Sequence, residues 1–519
     1  MTTTVPGTMP KRELYFVFGA LMLGMLLAAL DSTIVATALP TIVGDLHGAN
    51  HLSWVVVAYL LASTVSTPLW GKLGDLHGRK MYFQAAIVIF LIGSMLCGLA
   101  HSMLMLIVFR ALQGLGGGGL MVGAQAVIAD IVPPRDRGRY AGFFGATFGA
   151  ATVLGPLLGG VIVEYWSWRW IFFVNVPFGI VALIVTAAAL PGAARRVHHV
   201  IDFAGIITLT ISASALILFT SLGGTTFAWA STSSIGLLLA GVVFAILFML
   251  LERRTSEPIL APRLFKNRVF ASGSAIGFVV GFAMFGAITF LPLFLQDVRG
   301  VSPTSSGLRL LPMMAGLFGA SIIAGQLVSK GWRYRPFPIV GTIVMTGGLA
   351  LMSTVNLTTS SWTMGVYMFV LGAGLGLVMQ ILVTAVQNAV KQSDLGAATA
   401  GANFFRSIGG SFGTAVFGAL YANQLPQQLA AGFNKSVSQL RVPLVPSSFT
   451  PRELQSLPAP YKAVVLHAIS NTIQHIYLVA TPIGVAAIGL SLWLPEVKLR
   501  TSVHPVADEV PRASAEPLG

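Results

Sequence analysis

An acid and a base stand alone in apolar sequence. Asp31 lies inside residues 14–40, LYFVFGALMLGMLLAALDSTIVATALP, and Arg110 inside GLAHSMLMLIVFRALQG. An acid in hydrocarbon costs about 2.5–3.5 kcal/mol on insertion scales, so it needs a partner and marks function by default. Burial disfavours the charged carboxylate and a nearby guanidinium favours it, so a modest change of surroundings lets such a group take up or give off a proton. Proton exchange is the chemistry on offer. The plainer reading is a fixed ion pair that only holds two helices together.

The elements around these residues set their meeting. An apolar run of about 20 residues, rising about 1.5 Å each, crosses a bilayer, and residues 14–40 suffice. Asp31 lies nine positions before the outward turn at Pro40, and Arg110 nine after the turn at His101. Two helices of opposite direction therefore place them at similar depth. Arg406, in NFFRSIGGSFG, is a second intramembrane cation with no obvious acid partner in its own half. Substrate contact, carbonyl pairing and an ion pair across the halves are all open to it. Arg309 is near enough to the outer surface to snorkel and reads as structural.

Composition fixes the class. The 519 residues are 55% hydrophobic and 9% charged, with mean hydropathy +0.81. Only helices or closed barrels satisfy their backbone in lipid, and the runs are too long and too uniformly apolar for barrel strands. The chain reads as an all-α polytopic membrane protein. The one cysteine, Cys97, excludes an internal disulfide and argues against a zinc or redox centre. The first run is full length and interrupted by polar residues, so it reads as a span and not as a cleavable signal.

Fourteen spans are expected, near 14–38, 52–70, 81–100, 103–129, 140–163, 168–190, 203–222, 233–251, 269–295, 306–328, 337–355, 362–389, 397–421 and 467–494. Most of the 31 lysines and arginines, from Lys11 and Arg12 through Arg135, Arg137 and Arg139 to Lys498 and Arg500, then fall on one side. Arg169, Arg299, Lys435, Arg441, Arg452 and Lys462 fall on the other. The positive-inside rule makes both termini cytoplasmic. The net charge of +14 is thus a topology signal with anionic-lipid contact, and nucleic acid is not an expected partner.

An internal echo divides the chain. GKLGDLHGRK at 71–80 follows the second span, and GQLVSKGWRYR at 325–335 follows the tenth, with Ser329 where the first copy has Asp75. The expected layout is a cytoplasmic N-terminus (1–13), a six-helix bundle (14–190), two inserted spans with flanking loops (191–268), a second six-helix bundle (269–495) and a tail (496–519). The second bundle includes an outer loop at 423–466, in which Thr450-Pro451-Arg452-Glu453 predicts a helix start. The tail is rich in proline and charge and reads as disordered. Two halves with a site between them at mid-membrane form a transporter architecture.

Several stretches carry a family resemblance. Leu30-Asp31-Ser32-Thr33-Ile34-Val35-Ala36-Thr37-Ala38-Leu39-Pro40 resembles the first-span motif of the fourteen-span drug:proton antiporters of the major facilitator superfamily. Gly71 to Lys80 is similar to that superfamily's signature between spans 2 and 3, and Arg110-Ala111-Leu112-Gln113-Gly114 to its span-4 motif. Gly149 through Gly155-Pro156-Leu157-Leu158-Gly159-Gly160 resembles the span-5 antiporter motif. Trp168-Arg169-Trp170-Ile171-Phe172, with Asn175 and Pro177, resembles the entry to span 6. The resemblance covers about 14–495.

The resemblance implies proton-coupled export of small amphipathic or cationic drugs by alternating access. It gives Asp31 and Arg110 the proton coupling, and makes Gly71, Asp75, Gly78, Arg79 and Asp130 a latch on the inner face. Gly149, Gly155, Pro156, Gly159 and Gly160 would shape the outward pathway and limit proton leak. On the residues alone, Asp75 and Arg79 are opposite charges at the membrane face, the glycines of 71–80 permit a tight turn, and the span-5 glycines allow close packing. Tyr59, Gln113, Phe282, Phe285, Gln380, Asn403, Phe404 and Arg406 are candidates for a substrate cavity. Phe290, Asn388 and Phe405 join them as weaker ones. No cofactor or metal is expected. The expected partners are a small-molecule substrate, protons and membrane lipids, for a monomer in the bacterial cytoplasmic membrane.

Two rivals remain. On the same fold the cargo could be a lipid, a siderophore or another native metabolite. A membrane hydrolase would need Gly409-Gly410-Ser411-Phe412-Gly413 to act as a nucleophile elbow, but no strand precedes it and no triad spacing emerges. Gly114-Leu115-Gly116-Gly117-Gly118-Gly119 matches a dinucleotide fingerprint only in letters, inside an apolar helix.

Overall fold

Helix dominates because lipid offers the backbone no partners. The computed structural model describes residues 11–46, 52–132, 147, 150–151, 154–155, 157–190, 202–223, 227–255, 258–436 and 458–499. Among these, strand pairing is limited to one isolated bridge, Gly223 with Phe227. In the first half the long helices are α1 (Lys11–Asp45), α2 (Leu52–His77), α3 (Arg79–Gly98), α4 (Met103–Ile131) and α5 (Asn175–Ala189). A helical stretch at 157–165 precedes α5. Then come α6 (Phe203–Leu222) and α7 (Thr232–Glu252), and the second half holds α8 (Arg268–Leu293), α9 (Leu311–Ser329), α10 (Pro336–Met352), α11 (Ser361–Ala389), α12 (Leu395–Ser436) and α13 (Ala459–Leu492). Ser102, Ser231, Asn267 and Ser360 cap α4, α7, α8 and α11, each side chain accepting an amide of the first turn.

Among the described residues, 11 helices are long and apolar enough to cross a membrane. Pro336–Met352 is apolar but shorter, and much of the expected fifth span lies outside the described residues. The helices form two groups. In the first, α4 packs on α2 and α3, and α1 on α5 and α4; in the second, α11 packs on α9 and α10, and α12 on α8 and α13. Each group has its own apolar core, one around Phe83, Phe90 and Leu120, the other around Met313, Met345 and Leu375. The halves meet chiefly where α12 lies on α2 and α4, and the pair α6–α7 sits beside this seam, α6 touching both α2 and α12. The outer face of α7 presents Leu239, Val243 and Leu250 outward, as expected of a lipid-facing surface.

The internal echo has a structural counterpart. Gly78 and Gly331, in the two copies of the short turn, both adopt positive φ, 102° and 100°, a conformation that costs a residue with a β-carbon. Four boundaries differ from expectation. α1 continues to Asp45, so no turn falls at Pro40. Residues 71–77 are helical, so the turn contracts to Gly78, and Gly71 and Gly74 serve inside α2 instead. The expected outer loop 423–466 is helical at both ends, to Ser436 and from Ala459. Its sequence YANQLPQQLAAG loses hydropathy while keeping helix formers. The tenth span is broken at Leu310 into Pro303–Arg309 and Leu311–Ser329. The expected helix start at Thr450, residues 1–10 and residues 500–519 lie outside the described residues.

Candidate functional site

Asp31 and Arg110 meet. Arg110 Nη1 donates to Asp31 Oδ2 at 2.5 Å, and the two residues are 1% and 0% exposed. Gln113, one turn beyond Arg110 on α4, donates to Asp31 Oδ1 at 2.8 Å and accepts from Arg110 Nη1 at 2.8 Å. Asn175, at the start of α5, donates to Asp31 Oδ1 at 3.3 Å and to Ser94 Oγ at 3.0 Å. Ser94 in turn donates to the carbonyl of Phe172 at 2.8 Å. Four helices of the first half, α1, α3, α4 and α5, thus converge on one carboxyl group, and no described group of the second half bonds to it.

Arg110 does not depend on Asp31 alone. Its Nε donates to the carbonyl of Val55 at 3.3 Å, and its guanidinium stands 4.3 Å from the ring centre of Tyr59. Removing one member of a buried ion pair ordinarily costs about 3–5 kcal/mol. Here a carbonyl, an amide oxygen and an aromatic face already surround the cation. The arrangement can therefore lose the charge on Asp31 without leaving Arg110 unsolvated. That is the condition a proton-exchanging acid must meet, and a purely structural pair has no need of it.

Close helix packing holds this geometry. A β-carbon on Gly93 would stand 2.5 Å from the backbone N and Cα of Gln113, and Gly114 and Gly118 face the backbone of Tyr59 and Ser63 on α2. The glycine run 114–119 is thus a packing surface, as its helical context predicts. The described residues between 150 and 165 approach α1 just beyond Asp31: Thr33 Oγ1 donates to the carbonyl of Ala151 at 2.9 Å, and a β-carbon on Gly159 would lie 3.1 Å from Ile34. Gly155 likewise faces Thr33, while Gly160 faces open space. Gly149 and Pro156 lie outside the described residues.

A second group of charges closes the seam at the end of the molecule that carries Gly71–Lys80. Arg79 donates through Nε to Asp130 Oδ2 at 2.9 Å and pairs with Asp75. Asp75 also accepts the amides of Gly396 at 2.9 Å and Ala397 at 2.8 Å, the opening residues of α12. A helix start has amides without intrahelical partners and favours a carboxylate. Here the cap comes from the opposite half. Gln392 donates to Asp130 at 2.8 Å and Asn403 to Gln125 at 2.7 Å, and these bonds cross the seam along with the two amides. Gly71 allows the approach: a β-carbon there would lie 2.5 Å from that of Ala400 and 2.6 Å from the carbonyl of Gly396.

The remaining cavity candidates do not gather in one place. Tyr59 and Gln113 belong to the Asp31 cluster, and Asn403 to the seam. Phe282 packs edge-on against Phe417, with ring centres 5.6 Å apart, Phe290 lies 5.5 Å from Tyr421, and Phe404 lies 5.8 Å from Phe405. Gln380 is half-buried on α11. Asn388 faces the carbonyl of Lys498 at 3.2 Å, a tether to the chain end and not a cavity wall. The side chain of Phe285 lies outside the described residues. Arg406 stands on α12 with its backbone against Gly281 of α8. Ser411 bonds back to the carbonyl of Ser407 at 3.2 Å, as helical serines do. Sequence reasoning gave Asn175 and Tyr59 no role beside Asp31 and Arg110, and it missed Ser94, Gln125, Gln392 and the two amides of α12.

Comparison with known proteins gives the same picture of the fold. The family model described as Major Facilitator Superfamily matches residues 21–414. An uncharacterised MFS-type transporter of Mycobacterium tuberculosis is 46% identical over 505 residues, covering 96% of this chain and 73% of that one. The multidrug transporter protein MdtP of Bacillus subtilis is 39% identical over 492 residues, covering 91% and 90%. Among solved structures, the proton:xylose symporter XylE aligns with a TM-score of 0.60 at 14% identity, covering 94% of this chain and 97% of that one.

Proposed function

The chain belongs to the major facilitator superfamily, and from that premise we propose that it is a proton-coupled exporter of small amphipathic or cationic drugs. It works by alternating access between two six-helix bundles, in a fourteen-span layout with two inserted helices and both termini cytoplasmic. The observation that carries the proposal is the Asp31–Arg110 cluster: a fully buried acid whose cationic partner has other groups to turn to when the acid is neutral. The drug cargo follows from the multidrug name carried by MdtP, whose similarity spans nearly the whole chain.

Asp31 takes a proton from outside and gives it up inside. Asp75, Arg79 and Asp130 hold the cytoplasmic ends of the halves together while the pathway faces outward, and part when it faces inward. Gly155 and Gly159 keep the fifth span tight against α1 and restrict leak along that side. One inward proton yields about 2.3 kcal/mol per 100 mV and about 1.4 kcal/mol per pH unit. Together, roughly 3–4 kcal/mol supports a gradient of a few hundred-fold for a neutral drug. A monocation exchanged one for one cancels the electrical part and leaves the pH part. The test is a dye and drug efflux panel in a pump-deficient bacterial strain, with and without a protonophore. Export of at least one cationic or amphipathic compound that stops when the protonophore is added is expected; accumulation unaffected by the protonophore for every compound overturns the reading.

A further inference from the structure

Two more acids are buried where the inserted pair meets the seam. Asp202 caps α6, its Oδ1 accepting the amide of Gly205 at 2.8 Å. Glu252 ends α7, its Oε1 accepting the amide of Ile259 at 3.1 Å on the connection that leads to α8. One oxygen of each is thereby occupied. The other, Asp202 Oδ2 and Glu252 Oε2, has no hydrogen-bond partner, although the residues are only 9% and 2% exposed. The two carboxyl groups lie close together, since a β-carbon built on Gly205 would meet both Asp202 Oδ2 and Glu252 Oε1.

Charge does not balance there. Lys72 of α2, itself buried, is the basic group whose field reaches Glu252. Arg253 and Arg254, next along α7, are exposed, and Arg263 is paired with Asp394 at the head of α12 at 2.8 Å. A buried acceptor oxygen without a donor is costly, more so when charged, and two ionised carboxylates in one buried site disfavour each other. A single proton resolves both problems. It removes one negative charge and turns one of the two unpartnered acceptors into a donor.

We propose that Asp202 and Glu252 form a proton-binding site separate from Asp31, in which the two carboxyl groups share one proton. Its position gives it a use. Lys72 is the neighbour of Gly71 and shares α2 with Asp75, and α6 touches both α2 and α12. Parting the halves at that end shifts Lys72 against the acid pair, so proton occupancy and the state of the seam are linked. By reciprocity, protonation biases the seam as much as the seam biases protonation. This holds whether or not Asp31 carries protons during transport.

The test is infrared difference spectroscopy on the full-length protein in lipid nanodiscs, as a pH titration in an Asp31→Asn background. A carbonyl band of a buried, protonated carboxylic acid is expected, shifted in heavy water and unchanged when sodium replaces potassium. It should be lost in Glu252→Gln and lost again in Asp202→Asn. Both amides keep the shape and supply a donor, so either variant alone decides the matter if the other does not fold. If Asp31→Asn does not purify, the same two variants are compared in the native background. Absence of the band, its survival in a folded variant, or its removal by sodium each overturns the proposal, the last by showing a cation site.

Discussion

Asp75, in the first half of the molecule, accepts the backbone amide of Gly396, in the second half, at 2.9 Å. With the bond from Ala397 at 2.8 Å, one carboxylate serves as the cap of a helix to which it does not belong. Hydrogen bonds to a charged group contribute about 1.5–3 kcal/mol each, so a single side chain weighs heavily on whether the halves stay joined.

Asp75→Asn should therefore part the halves at this end without unfolding either. Cysteines placed across the seam away from the cap, such as Gln125→Cys with Asn403→Cys, report it with a short bifunctional cross-linker. We expect the cross-linked fraction to fall about tenfold or more, equivalent to about 1.4 kcal/mol or more. Cross-linking that is indifferent to the Asp75 charge would remove the cap from any account of closure.

Asp31→Asn should reduce pH-driven export in proteoliposomes to the level of protein-free vesicles, with expression and purification intact. Arg110 keeps Val55, Gln113 and Tyr59, so the loss of thermal stability should stay below the about 3–5 kcal/mol usual for a broken buried pair. Undiminished proton-driven export by this variant would show that another group carries the proton.

Gly93→Ala should damage the Asp31 site from outside it. The added methyl meets the backbone of Gln113, which cannot swing aside as a side chain would. Overpacking of this kind costs about 1–3 kcal/mol, and here it pushes Gln113 away from Asp31. A fall in melting temperature with weakened proton coupling is expected; a variant with native stability would mean that α3 and α4 slide freely.

Cys97 offers a chemical probe of the same region. It is fully buried, and its sulfur lies 3.6 Å from Gln113 Oε1. Maleimide labelling should be slow in the native protein, faster in Gly93→Ala, and unchanged in Asp75→Asn, because the seam and the Asp31 cluster are separate structures. Equal acceleration by both substitutions would show that they open together.

The parts of the molecule that were legible in sequence were those where chemistry left little choice. A charge in hydrocarbon requires a partner, and spacing along the two runs put Asp31 and Arg110 at similar depth, although α1 continues past Pro40 to Asp45 and the expected turn is not there. The glycine run in α4 could only be packing once its helical context was seen. The partners of Asp75 were not legible, because the amides of Gly396 and Ala397 are backbone and leave no residue signature. Asn175, an amide in an apolar stretch, has many places to go, and only the turn at Trp170–Phe173 sends it to Asp31. The extension of α12 to Ser436 was hidden because hydropathy reports the solvent around a helix and not the helix itself.

Every described ligand of Asp31 comes from the first bundle. In the proposed exchange, a hydrogen ion bound there would be lodged within one bundle, while a passenger held between the bundles would lie outside it. The two need never touch. Coupling would then rest on timing: each bound species would fix which tilt of the bundles is tolerable, and neither would have to evict the other.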